Sequence, residues 1–474
     1  MALPQPKGKQ LEVLDLKPEG HNVVLGTAGS GKTTLAIYRA IYLATLDDKE
    51  KVMLVTFNTT LVKYLEAIVG SEIPRNIEVR NYHKFARGYL AHRNKMPRWN
   101  GIVSGIEDGD NKKQLFVRRA LENVKAANGT NSTLKRAEEV FLEEINWIEK
   151  MGIKTLDEYE KVERVGRFDT RIIRENRKYF FQVYKAYLEV RKEEGYLYDW
   201  EDIAQTVCEE LENDTEKRMY KHIIVDEGQD FSDNAYRLLR ALAGEDHAND
   251  IFIVGDSHQR IYKNHPTLSK CGINVRGRSS ILKINYRTTE EICKYAFALL
   301  NGISFDDLDE DIDLGDKCQS LTHGAVPIIK NFKDANEELS FISEEIKKLK
   351  DNGVALNDIC VVARTKSLLD DYVRQLKGEG INTFVIKRNK NDDRGLMGVR
   401  VATMHRVKGL EFKYVFVVAV NNRIVPLPAA INHTDTISEA ESITSEKCLL
   451  YVALTRAQKG AYITSYGKKS EFLR

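Results

Sequence analysis

The chain has 474 residues, about three times the length of a typical domain, so we expect roughly three compact units. Its 72 lysines and arginines nearly balance its 70 aspartates and glutamates. The resulting net charge of +2 excludes a polycation such as a histone, so any nucleic-acid site must be a local groove.

Targeting and metal-binding patterns are also excluded. The N-terminal stretch MALPQPKGKQLEVLDL has no basic segment followed by an apolar core, and no run approaches the roughly 18 apolar residues of a membrane span. The six cysteines lie far apart, with no Cys-x-x-Cys pair and no Cys/His cluster for zinc or an iron–sulfur centre. We therefore predict a cytoplasmic protein with reduced thiols.

Short apolar runs rich in β-branched residues recur along the chain, each followed by a turn and then a helical pattern. In the first half these runs cover 22–26, 52–57, 222–227, 251–256 and 280–285. In the second half they cover 326–332, 358–364, 399–404, 414–420 and 461–466. Alternating strands and helices of this kind are typical of parallel sheets, so we predict two α/β domains in tandem.

A different pattern occupies the interval from about 93 to 204, which is helical, polar and dense in Lys, Arg and Tyr. It interrupts the strands of the first half and predicts an inserted helical subdomain. The predicted organisation is therefore a first α/β domain in two parts, 1–92 and 205–284, a helical insertion at 93–204 and a second α/β domain at 285–474.

The stretch LGTAGSGKTT at 25–34 joins a predicted strand to a predicted helix and contains the pattern Gly-x-x-x-x-Gly-Lys-Thr. Its backbone N–H groups would cradle a β-phosphate, Lys32 would bridge the β- and γ-phosphates, and the Thr33 hydroxyl would ligate magnesium. The predicted cofactors are ATP and Mg²⁺. The predicted binding residues of this loop are Gly26, Ala28, Gly29, Ser30, Gly31, Lys32, Thr33 and Thr34.

A carboxylate pair follows the predicted strand at 222–227, within the stretch DEGQD at 226–230. Because the ends of neighbouring parallel strands lie together, we expect this pair near the phosphate loop. Asp226 is then the second magnesium ligand, and Glu227 orients the attacking water. A water-orienting glutamate disfavours a small-molecule kinase, which needs a hydroxyl acceptor site, although the sequence leaves that alternative open.

Five further motifs follow the phosphate loop in a fixed order: DEGQD, IVGDSHQRIY, INYRT, TMHRVKGLEF and YVALTRA. In these motifs the sequence resembles the UvrD/Rep/PcrA family of superfamily 1 helicases. The resemblance covers both α/β domains almost end to end, including the tail SEFLR at 470–474. It implies two tandem RecA-like parallel-sheet domains with a helical insertion in the first, and an ATPase that moves along single-stranded nucleic acid as a 3′-to-5′ DNA helicase.

The resemblance also implies how the nucleotide is recognised. Gln10 would read the adenine edge, and Tyr286 would stack on the adenine ring. Gln229 and Gln259 would sense the γ-phosphate and link it to the nucleic-acid site. These residues extend the site beyond the phosphate loop itself.

Three residues of the later motifs would complete the site. By resemblance, Arg287 and Arg456 are arginine fingers that reach the γ-phosphate, and Glu411 contacts the nucleotide from the same side. An arginine in trans to the loop stabilises the charge that develops in phosphoryl transfer only when the domains close. Closure of the two domains is thereby coupled to ATP, and this coupling predicts a protein that moves.

Contacts to a single strand combine stacking of bases on aromatic side chains, at about 1–3 kcal/mol each, with a basic groove. By family position, the predicted nucleic-acid contacts are Phe57, Asn58, Tyr82, His83, Tyr262, Thr403 and His405. The stretch YDWEDIA at 198–204 adds Trp200, for which a role as a buried anchor of the insertion is an equal alternative. The predicted partner is single-stranded DNA or a junction of single and double strands.

One departure from the family leaves a second hypothesis open. Full-length members carry a further large helical subdomain in the second motor domain, whereas the expected insertion point here holds only the loop KRNKNDDRGLMG at 387–398. That subdomain bears on duplex contact in the family. The alternative is a DNA-stimulated regulatory ATPase that licenses a partner such as a nuclease, in DNA repair or phage defence, without processive unwinding.

Overall fold

The computed structural model describes most of the chain. The residues outside the description are 1–4, 15, 17, 19, 57–73, 98–100, 104–111, 130, 163–171, 215–217, 260–266, 304, 307–311, 314–318, 387–394, 432, 434–435 and 474. Three predicted strand contacts, Phe57, Asn58 and Tyr262, lie outside the described residues.

Eighteen strands are described, and most belong to two large sheets. In chain order they are β1 (Asn22–Gly26), β2 (Val52–Thr56), β3 (Ile77–Asn81), β4 (Ile102–Val103), β5 (Tyr198–Asp199), β6 (His222–Asp226), β7 (Ile251–Gly255), β8 (Ser279–Leu282), β9 (Ile284–Asn285), β10 (Phe305–Asp306), β11 (Ile312–Asp313), β12 (Gln319–Ser320), β13 (Ile328–Phe332), β14 (Ile359–Ala363), β15 (Thr383–Val385), β16 (Val399–Thr403), β17 (Phe412–Val417) and β18 (Ala457–Tyr466).

Thirteen α-helices are described between and around these strands. They are α1 (Lys9–Leu14), α2 (Lys32–Leu46), α3 (Tyr82–His92), α4 (Lys112–Asn128), α5 (Glu138–Met151), α6 (Leu156–Lys161), α7 (Arg174–Glu193), α8 (Ile203–Glu212), α9 (Asp233–Ala243), α10 (Glu290–Ala298), α11 (Ala335–Asp351), α12 (Lys366–Gly378) and α13 (Thr436–Leu454).

The first large sheet has six parallel strands in the order β3-β2-β6-β7-β1-β8. Its central strands are continuous apolar runs because helices cover both faces. Strand β1 illustrates this, since Val23 and Leu25 contribute to the core on one face and Val24 to the core on the other. Alternating side chains of a single buried strand thus serve two separate cores.

The second large sheet also has six parallel strands, in the order β13-β18-β17-β14-β16-β15. Strand β14 divides its side chains in the same way, with Val361 and Ala363 on one face and Cys360 and Val362 on the other. The predicted fold class is confirmed: two tandem α/β domains, each built on a parallel sheet.

Helices α4 to α7 form a subdomain with its own hydrophobic core, which includes Phe116, Phe141, Phe180 and Tyr187. The chain leaves the first domain after β3 and α3 and returns through α8 to β6, so the helical insertion interrupts the first sheet as predicted. The short parallel strands β4 and β5 pair where the insertion begins and ends, with Ile102 opposite Tyr198.

Among the described cysteines, one differs from expectation. Four are free thiols, Cys208, Cys271, Cys360 and Cys448, whereas Cys293 is disulfide-bonded. The prediction that all six thiols are reduced is therefore wrong at Cys293. Among the helices of the described ranges, none combines the length and apolar character that crossing a bilayer requires.

Candidate active site

The predicted motifs converge because each follows the C-terminal end of a strand in the first sheet. The glycine loop follows β1, the carboxylate pair ends β6, and the stretch at 256–259 follows β7. Strand β7 lies between β6 and β1 in the sheet, so these three loops are direct neighbours. The crevice outside the carboxyl ends of parallel strands is the usual ligand site of such folds.

The loop between β1 and α2 has the backbone of an anion cradle. Gly29 and Gly31 adopt left-handed conformations with φ of 78° and 84°, which side chains other than glycine rarely adopt. Gly31 caps the N-terminus of α2, where free N–H groups and the helix dipole favour a phosphate. The loop therefore has the geometry that the sequence motif predicts.

The Lys32 ammonium is held inside this loop. It is 8% exposed and donates hydrogen bonds to the carbonyl oxygens of Gly26 (2.7 Å) and Thr27 (2.8 Å). Its Nζ lies 3.5 Å from Oδ2 of Asp256. Burial raises the pKa of Asp256, but Lys32 and the hydrogen bond from His258 outweigh it and hold that pKa below its ordinary value. The loop thus contains a charged lysine balanced by a buried carboxylate.

Thr33 and Asp226, the two predicted magnesium ligands, are brought together. Burial first, and the neighbouring Glu227 second, raise the pKa of Asp226 to about 7, while a hydrogen bond from Thr33 lowers it. Oδ1 of Asp226 accepts the Glu227 N–H at 3.0 Å, and its buried Oδ2 has no hydrogen-bond partner in the described part of the chain. A buried, unpartnered carboxylate oxygen beside a hydroxyl fits the oxygen ligands that Mg²⁺ prefers.

A relay of hydrogen bonds leads from the predicted water-orienting residue to the predicted arginine finger. Gln229 Nε2 donates to Glu227 Oε2 (2.5 Å), and its Oε1 accepts the Asp256 N–H (2.9 Å). Gln259 Nε2 donates to Asp256 Oδ2 (2.7 Å), and its Oε1 accepts from Arg456 Nη2 (3.1 Å). All five residues are buried, so the relay connects the two domains through the protein interior.

Two further predicted residues meet on the other side of the loop. Arg287, which follows β9, forms an ion pair with Glu411 and donates from Nη2 to Thr34 Oγ1 at 3.1 Å. Gln458 Nε2 also donates to Glu411 Oε2 at 3.2 Å. The second domain therefore contacts helix α2 directly beside the phosphate loop.

The residues predicted to recognise the base lie on the outer side of the loop. Gln10 Nε2 donates to the Ser30 carbonyl at 2.7 Å, and its Oε1 accepts the Lys7 N–H at 2.9 Å. The Tyr286 N–H donates to the Gly29 carbonyl at 3.0 Å, and its hydroxyl donates to the Lys7 carbonyl at 3.2 Å. Gln10 and Tyr286 therefore border the same end of the loop.

Sequence reasoning missed Lys408. This residue of the second domain is 3% exposed and donates to Asp230 Oδ1 (2.7 Å) and to the Gln259 carbonyl (2.9 Å) of the first domain. Its Nζ lies 4.0 Å from Glu227 Oε2. A signal was available, because Lys408 lies inside the motif TMHRVKGLEF, three residues before the predicted Glu411.

The predicted nucleic-acid contacts of the second domain lie near a buried ion pair that the sequence did not indicate. Arg364 donates to Glu446 through two parallel bonds, Nε to Oε2 at 2.9 Å and Nη2 to Oε1 at 2.6 Å. Burial first, and Arg364 second, lower the pKa of His405 to about 4. His405 is therefore neutral near pH 7. Thr403 ends strand β16 and His405 follows it, so both residues lie at the carboxyl end of the second sheet.

The predicted contacts of the first domain form a ladder of rings. Trp200 meets His83 edge to face at 5.3 Å, and His83 lies 4.0 Å from Tyr82, both between ring centroids. Trp200 and His83 are half-buried, whereas Tyr82 is 3% exposed and belongs to the hydrophobic core. Tyr82 therefore supports His83 from behind, and a base could stack only on the outer two rings.

The fold and this site define a class of protein: two tandem α/β domains, with a phosphate-loop motif in the first and with Arg287 and Arg456 of the second bonded to Thr34 and Gln259 of the first. A family model described as the UvrD/REP helicase N-terminal domain matches residues 7–265. A second, described as the UvrD-like helicase C-terminal domain, matches residues 280–394 and 387–468. The chain belongs to the UvrD/REP helicase family, which confirms the resemblance and the enzyme class, an ATP-dependent DNA helicase.

Curated relatives are named as DNA helicases. A "Probable DNA helicase" of Mycoplasma pneumoniae is 25% identical over 95% of this chain and 82% of that protein. The "ATP-dependent DNA helicase srs2" of Schizosaccharomyces pombe is 24% identical over 80% of this chain and 43% of that protein. The "DNA helicase II" of Haemophilus influenzae is 24% identical over 74% of this chain and 47% of that protein. The chain thus spans most of the first relative and under half of the other two.

Proposed function

We propose that this chain is an ATP-driven motor that moves along single-stranded DNA in the 3′-to-5′ direction and separates duplexes. The observation that carries the proposal is the buried relay from Glu227 to Arg456, which joins the hydrolysis site of one domain to a cation of the other. An arginine finger acts only when it reaches the phosphate, so hydrolysis depends on how the two domains sit together.

Each residue of the site has a role in hydrolysis. Thr33 and Asp226 would hold Mg²⁺, which supplies positive charge to the phosphates when ATP is bound. The Glu227 carboxylate, held by Gln229, orients the attacking water, and Lys32 binds the phosphate oxygens. Arg287 and Arg456 stabilise the negative charge that develops on the transferred phosphoryl group. The polar groups are positioned in advance, which makes electrostatic stabilisation effective.

Movement along a strand follows from where the predicted contacts lie. Trp200 and His83 belong to the first domain, whereas Thr403 and His405 belong to the second. If ATP changes the separation of the domains, it also changes the distance between these two groups of contacts. A strand held alternately by each group then advances in one direction. The DNA assignment follows the named relatives, and the polarity follows the family resemblance.

A second function is favoured by one specific observation. The C-terminal family model matches in two segments that meet at 387–394, where larger relatives were expected to carry a further subdomain. The alternative is a DNA-stimulated regulatory ATPase that clamps a strand and licenses a partner such as a nuclease, without processive unwinding.

Steady-state ATP hydrolysis tests the motor assignment. Turnover would be measured without nucleic acid and with single-stranded DNA, single-stranded RNA or blunt duplex, at about 50 and 200 mM salt. Stimulation by single-stranded DNA that weakens at high salt is the expected result. Indifference to every nucleic acid would contradict both functions and favour a small-molecule kinase.

Strand displacement separates the two functions. Duplexes with a 3′ or a 5′ single-stranded overhang would be mixed with the protein and ATP, with ADP as the control. The motor predicts displacement from the 3′ overhang only. Strong DNA-stimulated hydrolysis without displacement of either substrate would favour the regulatory ATPase.

A further inference from the structure

The turn after β6 has no room for a side chain at residue 228. A Cβ added to Gly228 would lie 2.6 Å from Ile253 Cγ2 and 2.7 Å from the hydroxyl oxygen of Tyr236. Glu227, immediately before it, adopts a left-handed conformation with φ of 57°, which is uncommon for a residue with a side chain. The space beside Gly228 is therefore filled by Tyr236, and the backbone that carries Glu227 is tightly constrained.

The Tyr236 hydroxyl bonds the same turn. It donates to the Gly228 carbonyl at 2.7 Å, and the tyrosine is completely buried on helix α9. That helix begins at a fixed point, because the Ser232 side chain caps it by accepting the Ala235 N–H. The hydroxyl thus ties a rigid helix to the peptide group that follows Glu227.

The rest of the turn is fixed from the other side. Gln229 holds the Glu227 carboxylate with its amide nitrogen and accepts the Asp256 N–H with its amide oxygen. Within the turn, the Glu227 side chain and the Gly228 carbonyl therefore have separate anchors. The Gly228 carbonyl also accepts the Phe231 N–H at 3.2 Å within the turn, so the Tyr236 bond is the one that ties this carbonyl to helix α9.

Tyr236 is also the inner end of the ring ladder that begins at Trp200. Its ring lies 5.7 Å from that of Phe231, and Phe231 lies 5.6 Å from Tyr82, both between centroids. Tyr82 contacts His83, which contacts Trp200. A continuous row of packed rings therefore joins the proposed strand contacts of the first domain to the turn beside Glu227.

We propose that Tyr236 is a positioning residue for ATP hydrolysis: its hydroxyl fixes the Gly228 carbonyl so that Glu227 faces the attacking water, and strand binding acts on this bond through the ring ladder. The proposal rests on the proposed function, because it takes hydrolysis and strand binding as given. Tyr236 itself touches neither nucleotide nor strand, so its effect is on turnover and not on affinity.

The substitution Tyr236→Phe tests the proposal, because it removes the hydroxyl and keeps the ring of the ladder. We expect kcat with single-stranded DNA to fall about tenfold, while KM for ATP and Kd for DNA change by less than about twofold. Turnover without DNA should fall less, so the stimulation by DNA decreases. Affinity for ADP–aluminium fluoride should fall with kcat, while affinity for a non-hydrolysable ATP analogue stays the same.

A matched control is Tyr220→Phe. Tyr220 is 1% exposed in the same hydrophobic core, and its hydroxyl donates to Glu78 Oε2 at 2.7 Å, at the opposite end of β6 from the turn. This variant should lose thermal stability as Tyr236→Phe does, yet keep the wild-type kcat and the wild-type stimulation by DNA.

Several outcomes would overturn the proposal. Unchanged kcat in Tyr236→Phe, or an equal loss of kcat in Tyr220→Phe, would show that the hydroxyl has only a structural role. Equal falls of basal and stimulated turnover would refute the link to the strand. If the wild-type protein shows no stimulation by DNA, the motor assignment fails instead, and basal turnover with the aluminium fluoride measurement still tests the positioning role.

Discussion

Replacing Lys408 with methionine should uncouple the two domains. Methionine keeps a long apolar stem but has no ammonium, so Asp230 loses its 2.7 Å ion pair and the Gln259 carbonyl loses its 2.9 Å hydrogen bond. Removing one partner of a buried ion pair typically costs about 3–5 kcal/mol, because the other charge remains buried. Lys408 and Asp230 belong to different domains. The substitution therefore lowers the stability of the closed arrangement of the two domains and leaves the folding stability of each domain unchanged.

This free-energy cost can be converted into an expected change in kcat. Each 1.4 kcal/mol is about a factor of ten, so a cost of about 3–5 kcal/mol shifts the closing equilibrium by roughly a hundred- to several-thousand-fold. If closure limits hydrolysis, kcat with saturating ATP and single-stranded DNA falls by up to that factor. Affinity for ATP should change little, since the phosphate loop and Gln10 lie in the first domain.

The control is Lys413→Met. Lys413 lies in the second domain and pairs at 2.7 Å with Asp358, also of that domain, through side chains that are 43% and 25% exposed. An exposed pair of this kind contributes only about 0–1 kcal/mol, so turnover should stay near the wild-type value. The double variant Lys408→Met with Asp230→Asn should recover part of the loss, because the buried carboxylate charge that Lys408 balanced is gone. A wild-type kcat in Lys408→Met, or strictly additive losses in the double variant, would refute the reasoning.

Three further outcomes follow from the site. Lys32→Ala should abolish hydrolysis, and undiminished turnover in a malachite-green assay would exclude the loop as the phosphate site. Arg456→Ala should lower kcat at least about a hundredfold while sparing the binding of a fluorescent ATP analogue, since a finger acts mainly in the transition state; a parallel loss of affinity would indicate a structural arginine that holds Gln259. Trp200→Ala should weaken single-stranded DNA binding by about 1–3 kcal/mol in fluorescence anisotropy, with His83→Ala giving a similar loss. Unchanged affinity in both would place the strand elsewhere.

The strands of both sheets were predictable because most of them are buried on both faces. All ten predicted runs coincide with observed strands, including β1, β6, β7 and β14. Two strands of the large sheets were missed, β3 and β15, and each lies at one edge of its sheet. Strand β3 is buried only at its two end residues, and β15 has only three residues, none of them fully buried. Neither strand therefore has the continuous apolar run that marks a strand buried on both faces.

The site was predictable where function depends on position along a motif and not on packing. Thr33, at the start of α2, meets Asp226 and Glu227, at the end of β6, because the sheet brings the loops that follow its strands together. The exposure and the long-range contacts of individual side chains could not be predicted in this way. Tyr82 is buried, and Lys408 reaches across the domains to Asp230, 178 positions away in sequence. Contacts between segments so distant depend on the final packing of two domains, which no local pattern contains.

The paired strands β4 and β5 hold the two ends of the helical insertion side by side. Ile102 lies opposite Tyr198 and Val103 opposite Asp199, so the chain leaves and re-enters the first domain at neighbouring points about 5 Å apart. A segment that begins and ends side by side can be shortened, exchanged or extended while the strand order of the host sheet stays the same. Trp200 follows directly after β5, so a change in the insertion would alter the proposed strand contact at Trp200, while the residues of the proposed ATP site remain in the two α/β domains.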